Sequence, residues 1–384
     1  MLKTVVGHSN DLDTHDAIAQ VLEQCQTALG GQTPQAGIVL SAIDFDHGQI
    51  LQTIKAAFPE LELIGGTTDG EISSVLGFEE DSLTLMLFCS DRITLRAGIG
   101  TGLSQDLAAA VGQAVSHATE RQTEPVRLCL TLPESLTASA VQILAALKTA
   151  LGPEIPIFGG LTADQWRFKQ TYQFCGTDVY SDAIPILTVA GPVVFSHGVA
   201  SGWQPIGKTG VVTKAQANVI QEIDQEPALK FYQYYIGDRA PSSEYPLAVF
   251  EGDRYYMRAP SGQYDATTGA VTLFGDVPEG AIVQITETTR DDILQASQTS
   301  MQQALDQYPT GQQPSAALFF SCASRRQILG RRTQEEYQLT QDCLTQTLPS
   351  CGFYTNGEIA PLQQQGVTHF HNETFITLLL GEAS

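Results

Sequence analysis

A six-residue segment occurs twice in nearly the same form, as TTDGEI at Thr67–Ile72 and as YTNGEI at Tyr354–Ile359. Each copy closely follows a glycine, Gly66 in the first and Gly352 in the second. Each also comes after an apolar strand and a helix-like stretch, and each is followed by another apolar strand. A turn used twice in the same context predicts a duplicated unit, and duplicated units often enclose a site between them.

The pattern around this turn predicts a mixed α/β fold. In the outer units a strand, a helix, a short strand, a glycine turn and a long strand follow in order, over residues 38–88 and 316–380. A middle segment, residues 128–190, keeps the order and the paired glycines Gly159 and Gly160 but has Asp164-Gln165 in place of Gly-Glu. Chance resemblance of short α/β segments is the alternative for this middle copy. We therefore expect layered sheets flanked by helices, built from two or three degenerate units.

The composition changes between the second and third units. Residues 199–212 are rich in glycine and β-branched residues, residues 214–223 read as a strand with a turn at 216–218, and residues 226–235 read as a helix with an aromatic face. Residues 245–274 show period-2 stretches broken by turn signals, which predicts an antiparallel meander. This change predicts two regions, residues 1–222 and residues 223–384.

Charge and cysteine content narrow the function classes. The formal net charge is −22, from 20 basic and 42 acidic residues, so nucleic acids and anionic membrane surfaces are poor partners. No apolar run reaches the roughly 18 residues of a membrane span, and the N-terminus lacks a signal-peptide pattern. The 7 cysteines are scattered without a Cys-x-x-Cys pair. The sequence therefore predicts a cytoplasmic protein without a disulfide framework or membrane insertion.

Taken together, these motifs resemble the FIST family ("F-box and intracellular signal transduction"). The N-terminal half carries the resemblance in residues 64–72, 158–160 and 193–210, and the C-terminal half in residues 228–237, 277–280, 320–325 and 351–361. The resemblance covers nearly the whole chain and implies a stand-alone sensory module for signal transduction. It also implies a small ligand, with amino acids the usual suggestion. The family usually has glycine near positions 324 and 326, where this chain has Ser324 and Arg326, which leaves the conformation of that loop open.

The glutamate of the repeated turn has two interpretations. Glycine accepts positive φ and Asp or Asn tolerates left-handed geometry, which accounts for the turn but not for its glutamate. Glu71 and Glu358 either cap exposed backbone N–H groups or bind a ligand ammonium. Glu358 is the better candidate, because the third unit has more polar residues. The middle unit lacks the Gly-Glu pair, which indicates that the fold alone does not need the glutamate.

A polar segment, Ser321–Arg326, follows the apolar strand of the third unit. Residues just past the carboxyl end of a strand are where α/β proteins bind ligands. Arg325 or Arg326 can hold a carboxylate in bidentate fashion, and the alternative is two solvated arginines on an acidic protein. The resemblance favours Arg325, since family members tend to have Cys, two residues, then Arg. Nearby positive charge would lower the pKa of Cys322, although a buried structural cysteine is the favoured interpretation.

Other motifs argue against catalysis and metal binding. His369 and His371 lie on one face of a strand, but no cysteine or carboxylate stands at a spacing that completes a metal site. Asp44-Phe45-Asp46-His47 contains acid and base types, yet it reads as the start of a helix with an aspartate N-cap. Phosphate loops, nucleophile elbows and His-Glu-x-x-His helices are absent from the sequence.

The sequence thus favours a ligand-binding sensory module over an enzyme, with the cleft between the two halves. In this interpretation Arg325 binds a ligand carboxylate, Glu358 binds its amine, and turn N–H groups near Gly352 and Gly357 add hydrogen bonds. No cofactor or metal is expected, and a signalling protein is a further partner. A thiol-dependent enzyme using Cys322, or a protein-interaction scaffold, remains an alternative. The candidate ligand-binding residues are Cys322, Arg325, Gly352, Asn356, Gly357, Glu358, Thr68 and Glu71.

Overall fold

Four β-sheets and the helices around them are described over residues 1–383 of the computed structural model. The helices are α1 (Thr14–Leu29), α2 (His47–Ala57), α3 (Leu107–Thr119), α4 (Ala140–Leu151), α5 (Ala228–Ile236), α6 (Arg290–Gln307), α7 (Ala323–Leu329) and α8 (Thr333–Gln341), with a 3-10 turn at Gly330–Arg332. Within residues 1–383, no helix is both long enough and apolar enough to cross a bilayer.

The strands fall into three similar units and one additional sheet. The first unit contains β1 (Lys3–Ser9), β2 (Ala36–Ser41), β3 (Glu62–Thr67), β4 (Glu71–Ser73), β5 (Gly77–Glu79) and β6 (Leu83–Cys89). The second contains β7 (Thr94–Thr101), β8 (Val126–Thr131), β9 (Ile157–Gly160), β10 (Gln173–Cys175), β11 (Asp178–Tyr180) and β12 (Ala183–Ala190). The third contains β13 (Val193–Ala200) and, after the additional sheet, β23 (Ala316–Cys322), β24 (Ser350–Thr355), β25 (Glu358–Pro361), β26 (Thr368–His371) and β27 (Phe375–Glu382).

Each of the three six-stranded sheets follows the same plan. Their orders are β1-β6-β2-β3-β10-β11, β7-β12-β8-β9-β25-β26 and β13-β27-β23-β24-β4-β5. In each, the first and last long strands of a unit pair antiparallel, and the unit's two inner strands pair parallel. This confirms the mixed α/β prediction, and the middle segment repeats the plan of its neighbours.

Each unit contributes a hairpin to the sheet of another unit. The strands β4 and β5 of the first unit extend the third sheet, β10 and β11 of the second extend the first, and β25 and β26 of the third extend the second. The repeated turn is the point at which the chain crosses over. The crossing turns also bond one another, because the Asp69 N–H donates to the Tyr354 carbonyl and the Leu161 N–H donates to the Gly357 carbonyl, both at 2.9 Å.

Helix boundaries follow from local sequence. Helix α1 begins after Asp13, whose carboxylate accepts hydrogen bonds from the N–H groups of His15 and Asp16, and it ends at Gly30 in the left-handed conformation (φ 61°). Its apolar residues recur at helical spacing and are buried. Asp46 caps α2 by accepting from the Gln49 N–H, as the sequence predicts.

The three sheets share one core. Their inner faces contribute side chains such as Leu40, Leu130 and Phe320, which form a single buried cluster. The outer faces are covered by helices, which is why the central strands are apolar on both sides. Burying one such side chain contributes roughly 1.5–3 kcal/mol to the stability of the fold. The shared core therefore stabilises the packing of the three units against one another.

The additional sheet is inserted between β13 and α6. It contains β14 (Gln204–Pro205), β15 (Gly210–Gln216), β16 (Val219–Ile223), β17 (Glu226–Pro227), β18 (Leu247–Glu251), β19 (Arg254–Arg258), β20 (Pro260–Tyr264), β21 (Val271–Leu273) and β22 (Ile282–Glu287). The predicted turn at 216–218 joins β15 and β16, and antiparallel pairs form within the predicted meander. Residue 222, where the sequence predicts a boundary, lies in β16, and that division stays a prediction.

Candidate functional site

A cavity of about 420 Å³ lies among the second unit, the third unit and the nine-stranded sheet. Its floor is formed where β8, β9, β23 and β24 end, which is the edge at which α/β sheets bind ligands. The lining residues are 135–140, Leu161, Trp166, Phe168, Ala217, Asn218, Ala259, Ser261, Gln263, 272–274, Asp276, 322–324, Thr355, Asn356, Asn372 and Glu373.

Cys322 lies in the wall of this cavity at the end of β23. Its side chain is buried, and its thiol lies beside the Glu358 carboxyl without completing a hydrogen bond to it. Burial raises the pKa of Cys322 well above its usual value, and the carboxyl groups of Glu358 and Glu373 raise it further. The sequence suggested that positive charge would lower this pKa, but the arginine that follows is neutralised by its own partners. The thiol is therefore protonated at neutral pH.

Glu373 is the residue of the cavity wall that sequence reasoning missed. It is 0% exposed, and neither carboxyl oxygen has a hydrogen-bond partner. Ser324 lies beside the carboxyl without completing a hydrogen bond to it. Burial, and then the neighbouring carboxyl of Glu358, raises the pKa of Glu373 well above its usual value. A signal was available, since Asn372-Glu373 directly precedes the last apolar strand.

The backbone of Glu373 is left-handed, with φ at 59°. Asp182, which directly precedes β12, also has a positive φ, at 57°. The two carboxylates differ in their surroundings, because Asp182 accepts hydrogen bonds from Ser104 at 2.7–2.8 Å whereas Glu373 accepts none.

Arg325 does not reach the cavity. Its guanidinium is fully buried, and Nε and Nη2 donate to one carboxylate oxygen of Glu336 at 3.0 and 2.6 Å. The remaining donors bond the carbonyls of Ser201, Glu373 and Ile293. All five donors of the side chain are thereby occupied. The sequence expected this arginine to hold a ligand carboxylate, but it has no donor left for one.

Glu358 lies behind Cys322 and outside the lining of the cavity. Its Oε2 accepts hydrogen bonds from the N–H and the hydroxyl of Thr374, at 3.0 and 2.7 Å, while Oε1 has no partner. Burial raises the pKa of Glu358 to about 8 against the lowering effect of these bonds. Of these two buried glutamates, only Glu373 lines the cavity.

Of the remaining predicted residues of the third unit, one lines the cavity and the two glycines have a structural role. Asn356 lines the cavity and donates from its amide to the Ser135 hydroxyl at 3.0 Å. Gly357 has φ at 151°, and a Cβ there would approach the Phe370 ring to 2.4 Å. A Cβ at Gly352 would meet the Phe319 carbonyl at 2.4 Å. Both glycines are therefore required for close packing of the backbone.

In the first unit, Thr68 and Glu71 bond one another. Both are buried, and Glu71 accepts hydrogen bonds from the hydroxyls of Thr68 and Ser82. His8 extends the network through Ser82 at 2.8 Å. Burial raises the pKa of Glu71 to about 8 and lowers the pKa of His8 to about 4. Neither Thr68 nor Glu71 lines the cavity of the third unit.

An aromatic wall comes from a loop that sequence reasoning did not single out. Trp166 and Phe168 have positive φ, at 61° and 48°, and Asp164 fixes their loop by accepting from the N–H groups of residues 168–170. Phe168 stacks against Phe274 of the nine-stranded sheet, with ring centroids 6.4 Å apart. The Trp166 ring meets Phe168 edge-on. The Trp-x-Phe spacing was the available signal.

His369 and His371 have separate partners. Nε2 of His371 lies 2.9 Å from the Ala360 carbonyl, and Nε2 of His369 lies 3.5 Å from a Glu251 oxygen. Burial lowers the pKa of His371 to about 3, so its ring is neutral. Within residues 1–383, the one group of at least three side chains spaced to hold a metal ion is Asp13, His15 and Asp16, which caps α1 and is exposed.

Comparison with known proteins identifies the family. Residues 35–226 match the model of the FIST N domain, and residues 228–361 match that of the FIST C domain. The chain belongs to the FIST family. FIST domains are associated with signal transduction and with the sensing of small ligands.

Relatives of this FIST protein extend over its length. It is 23% identical over 388 residues to an uncharacterized protein of Mycobacterium tuberculosis, covering 95% of this chain and 96% of the relative. It is 29% identical over 152 residues to an uncharacterized protein of Methanocaldococcus jannaschii, covering 37% of this chain and 28% of that relative. A cyanuric acid hydrolase from A. caulinodans aligns over 100% of both chains at 10% identity, with a TM-score of 0.39. A score this low supports no conclusion about activity.

Proposed function

We propose that this FIST protein is a cytoplasmic sensory module whose cavity binds a small compound with an amino group, amino acids being the first candidates. The observation that carries the proposal is Glu373, a residue of the cavity wall whose buried carboxyl has no hydrogen-bond partner. A buried polar group left without a partner costs about 1–3 kcal/mol. A ligand ammonium that donates to this carboxyl would remove that cost.

The size and position of the cavity support binding of a small molecule. Its volume of about 420 Å³ lies within the range of about 300–1,000 Å³ common for ligand sites. Its walls come from two units and the inserted sheet, so a bound ligand would contact all three. Binding would bias their relative positions only if the two arrangements differ in affinity for the ligand. Such a bias is how we expect the site to transmit a signal.

If the ligand binds at Glu373, its affinity should depend on pH, because the carboxyl releases a proton on binding. Burial raises the pKa of Glu373 well above its usual value and so disfavours the ionised carboxylate in the free protein. An ammonium ligand favours the ionised carboxylate, and binding therefore releases a proton. We expect affinity for amines to rise as the pH is raised through the neutral range.

The cytoplasmic assignment rests on the cysteines. All 7 are free in the structure, and most are buried. Free thiols are the usual state in a reducing compartment. This support is compositional and independent of the ligand.

The alternative of a thiol-dependent enzyme finds less support. Catalytic cysteines have a lowered pKa and an adjacent base. Burial and two carboxyl neighbours raise the pKa of Cys322 instead. The cavity is therefore better suited to binding than to thiolate chemistry.

A thermal-shift screen tests the proposal. The compounds are amino acids, simple amines, and carboxylates without an amino group, each at millimolar concentration. A compound at 100 times its dissociation constant adds about 2.7 kcal/mol of stability. We expect amino compounds to stabilise the protein and Glu373→Gln to remove the effect. Glu60→Gln, at an exposed position, is the control and should respond like the wild type. Stabilisation by carboxylates alone, or by no compound, would overturn the proposal.

A further inference from the structure

The wall of the cavity carries acidic side chains from two separate parts of the fold. Glu373 belongs to the loop between β26 and β27, and Asp276 follows β21 of the nine-stranded sheet. Among the described residues that line the cavity, these are the only acidic ones, and none is lysine, arginine or histidine. A ligand carboxylate would therefore find no cationic partner in the wall.

We infer that the preferred ligand is a diamine, with one ammonium group at Glu373 and the other at Asp276. This inference rests on the proposed function, because it refines the ligand class of the same cavity. It separates diamines from amino acids, which offer only one ammonium group and bring a carboxylate that the Asp276 carboxylate would repel.

Asp276 is available for a second ammonium. Its carboxylate accepts one hydrogen bond, from the Ser139 hydroxyl at 3.2 Å, and its side chain is partly exposed. Arg258 is adjacent but lies behind the wall, where it donates to the backbone carbonyls of Asp276, Met257 and Phe370. Arg258 does not line the cavity. A ligand cation can therefore meet the Asp276 carboxylate from the cavity side.

The aromatic wall suits the rest of such a ligand. Trp166, Phe168 and Phe274 line the cavity and contact one another edge-on or stacked. Their faces pack against a methylene chain and also attract an ammonium group by cation–π interaction. The amides and hydroxyls of Asn356, Asn372 and the Ser135–Ser139 loop supply oxygen acceptors for the remaining N–H groups.

The net charge of the whole chain also favours a cationic ligand. With a formal net charge of −22, the protein repels anions and attracts cations at long range. This field does not select a diamine by itself. It adds to the two local carboxylates, and it would raise the association rate of dications most.

Isothermal titration calorimetry with matched ligands tests the inference on the wild-type protein. The core set is diaminobutane, butylamine and the aminobutyric acid with its two groups at opposite ends, which share one carbon chain. Diaminopropane and diaminopentane vary the spacing. We expect the best diamine to bind at least about tenfold more tightly than butylamine, since a charge-assisted hydrogen bond is worth that much or more. The aminobutyric acid should bind no more tightly than butylamine.

Two variants test whether Asp276 and Glu373 each bind one ammonium group of the diamine. Asp276→Asn should reduce diamine affinity to the level of butylamine and leave butylamine affinity unchanged. Glu373→Gln should weaken both. Equal binding of diamine and butylamine to the wild type, or an Asp276→Asn variant that keeps the diamine preference, would overturn the inference. Since the ligand series needs no variant, a variant that fails to fold does not prevent a decision.

The outcomes also separate this inference from the proposed function. If amino acids bind more tightly than diamines and depend on Glu373, the diamine assignment fails and the proposed function stands. If no amino compound binds, both fail.

Discussion

The first and third units share a turn but use its glutamate differently. In the first, both oxygens of Glu71 are bonded, to the hydroxyls of Thr68 and Ser82. In the third, Glu358 bonds Thr374 through one oxygen and leaves the other without a partner. Ser82 and Thr374 are equivalent, since each directly precedes the last strand of its unit. The repeated glutamate is thus a structural anchor in both units, completely satisfied in only one.

The two units differ in function at the residue just before Ser82 in the first unit and just before Thr374 in the third. Asp81 in the first unit is exposed and accepts a hydrogen bond from the Gln165 amide at 2.6 Å. The equivalent Glu373 is buried in a cavity wall without a partner. A repeated plan in which only one of these two equivalent carboxyls is buried without any partner is the arrangement we expect when one copy of a repeat is adapted to bind a ligand.

The largest expected effect concerns an ion pair found in the third unit. Arg325→Ala would leave the Glu336 carboxylate buried and uncompensated, which costs about 3–5 kcal/mol. Urea denaturation measures this loss. Arg332→Ala, which breaks exposed ion pairs with Asp291 and Glu335, is the matched control and should cost less than about 1 kcal/mol.

A different result for Arg325→Ala would change the structural role given to this arginine in the third unit. If Arg325→Ala folds with nearly unchanged stability but loses ligand binding, the arginine is a ligand contact after all. The hydrogen bonds from its five donors would then have to rearrange on binding.

The two turn glutamates should differ in their contribution to stability. Glu71→Ala leaves two buried hydroxyls without their acceptor, and we expect a loss on the order of 3 kcal/mol. Glu358→Ala should cost about 1 kcal/mol less, because Thr374 lines a second cavity, of about 620 Å³, through which water can reach it. Chemical denaturation of both variants checks the order. Equal losses would show that the two turns are energetically equivalent.

The stability of the protein should fall as the pH rises from about 7 to about 8. Burial raises the pKa of both Glu71 and Glu358 from 4.5 to about 8, so in this range the folded state keeps protons that the unfolded state has released. Each group contributes a slope of up to about 1.4 kcal/mol per pH unit. The buried His8, His197 and His371, with pKa values lowered from 6.5 to about 4, 4 and 3, act in the opposite direction, because the unfolded histidines still bind some protons just above their usual pKa. This opposing contribution fades above neutral pH, where the glutamates dominate.

Two variants test whether Glu71 and Glu358 cause this fall in the free energy of unfolding with pH. Glu71→Gln and Glu358→Gln cannot ionise, and each should make the decline in unfolding free energy with pH less steep. Denaturation curves at several pH values measure it. A slope that both variants leave unchanged would assign the effect to other groups.

The smallest expected effect concerns the aromatic wall. Phe168 is 46% exposed, so Phe168→Ala should change stability little. It should weaken amine binding about two- to fivefold, the equivalent of about 0.5–1 kcal/mol of cation–π interaction. Titration calorimetry with the best amine measures the change. Phe78→Ala, in the first unit and outside the cavity, is the comparison variant and should leave affinity unchanged.

Local sequence determined most of the secondary structure. The helical spacing of residues 17–29 and the aspartate at position 13 predicted α1, because capping and amphipathic spacing act over a few residues. The repeated turn likewise predicted the repeated unit. It did not predict the passing of hairpins between sheets, because strand pairing between distant segments depends on the assembled units.

The site was predicted in part. The sequence pointed to the end of β23, and Cys322 and Asn356 do line a cavity there. It assigned ligand contact to Arg325 and Glu358, which tertiary packing surrounds with other partners. It passed over Glu373, although the polar pair Asn372-Glu373 just before the last apolar strand was an available signal.

The sequence by itself determined the units, their turns and the edge at which polar side chains collect, since these depend on spacing along the chain. Only the tertiary structure decided which carboxylate is satisfied and which is left without a partner. The partners of Arg325 come from residues 201, 293, 336 and 373, and burial together with hydrogen bonding is set by segments that are far apart in sequence.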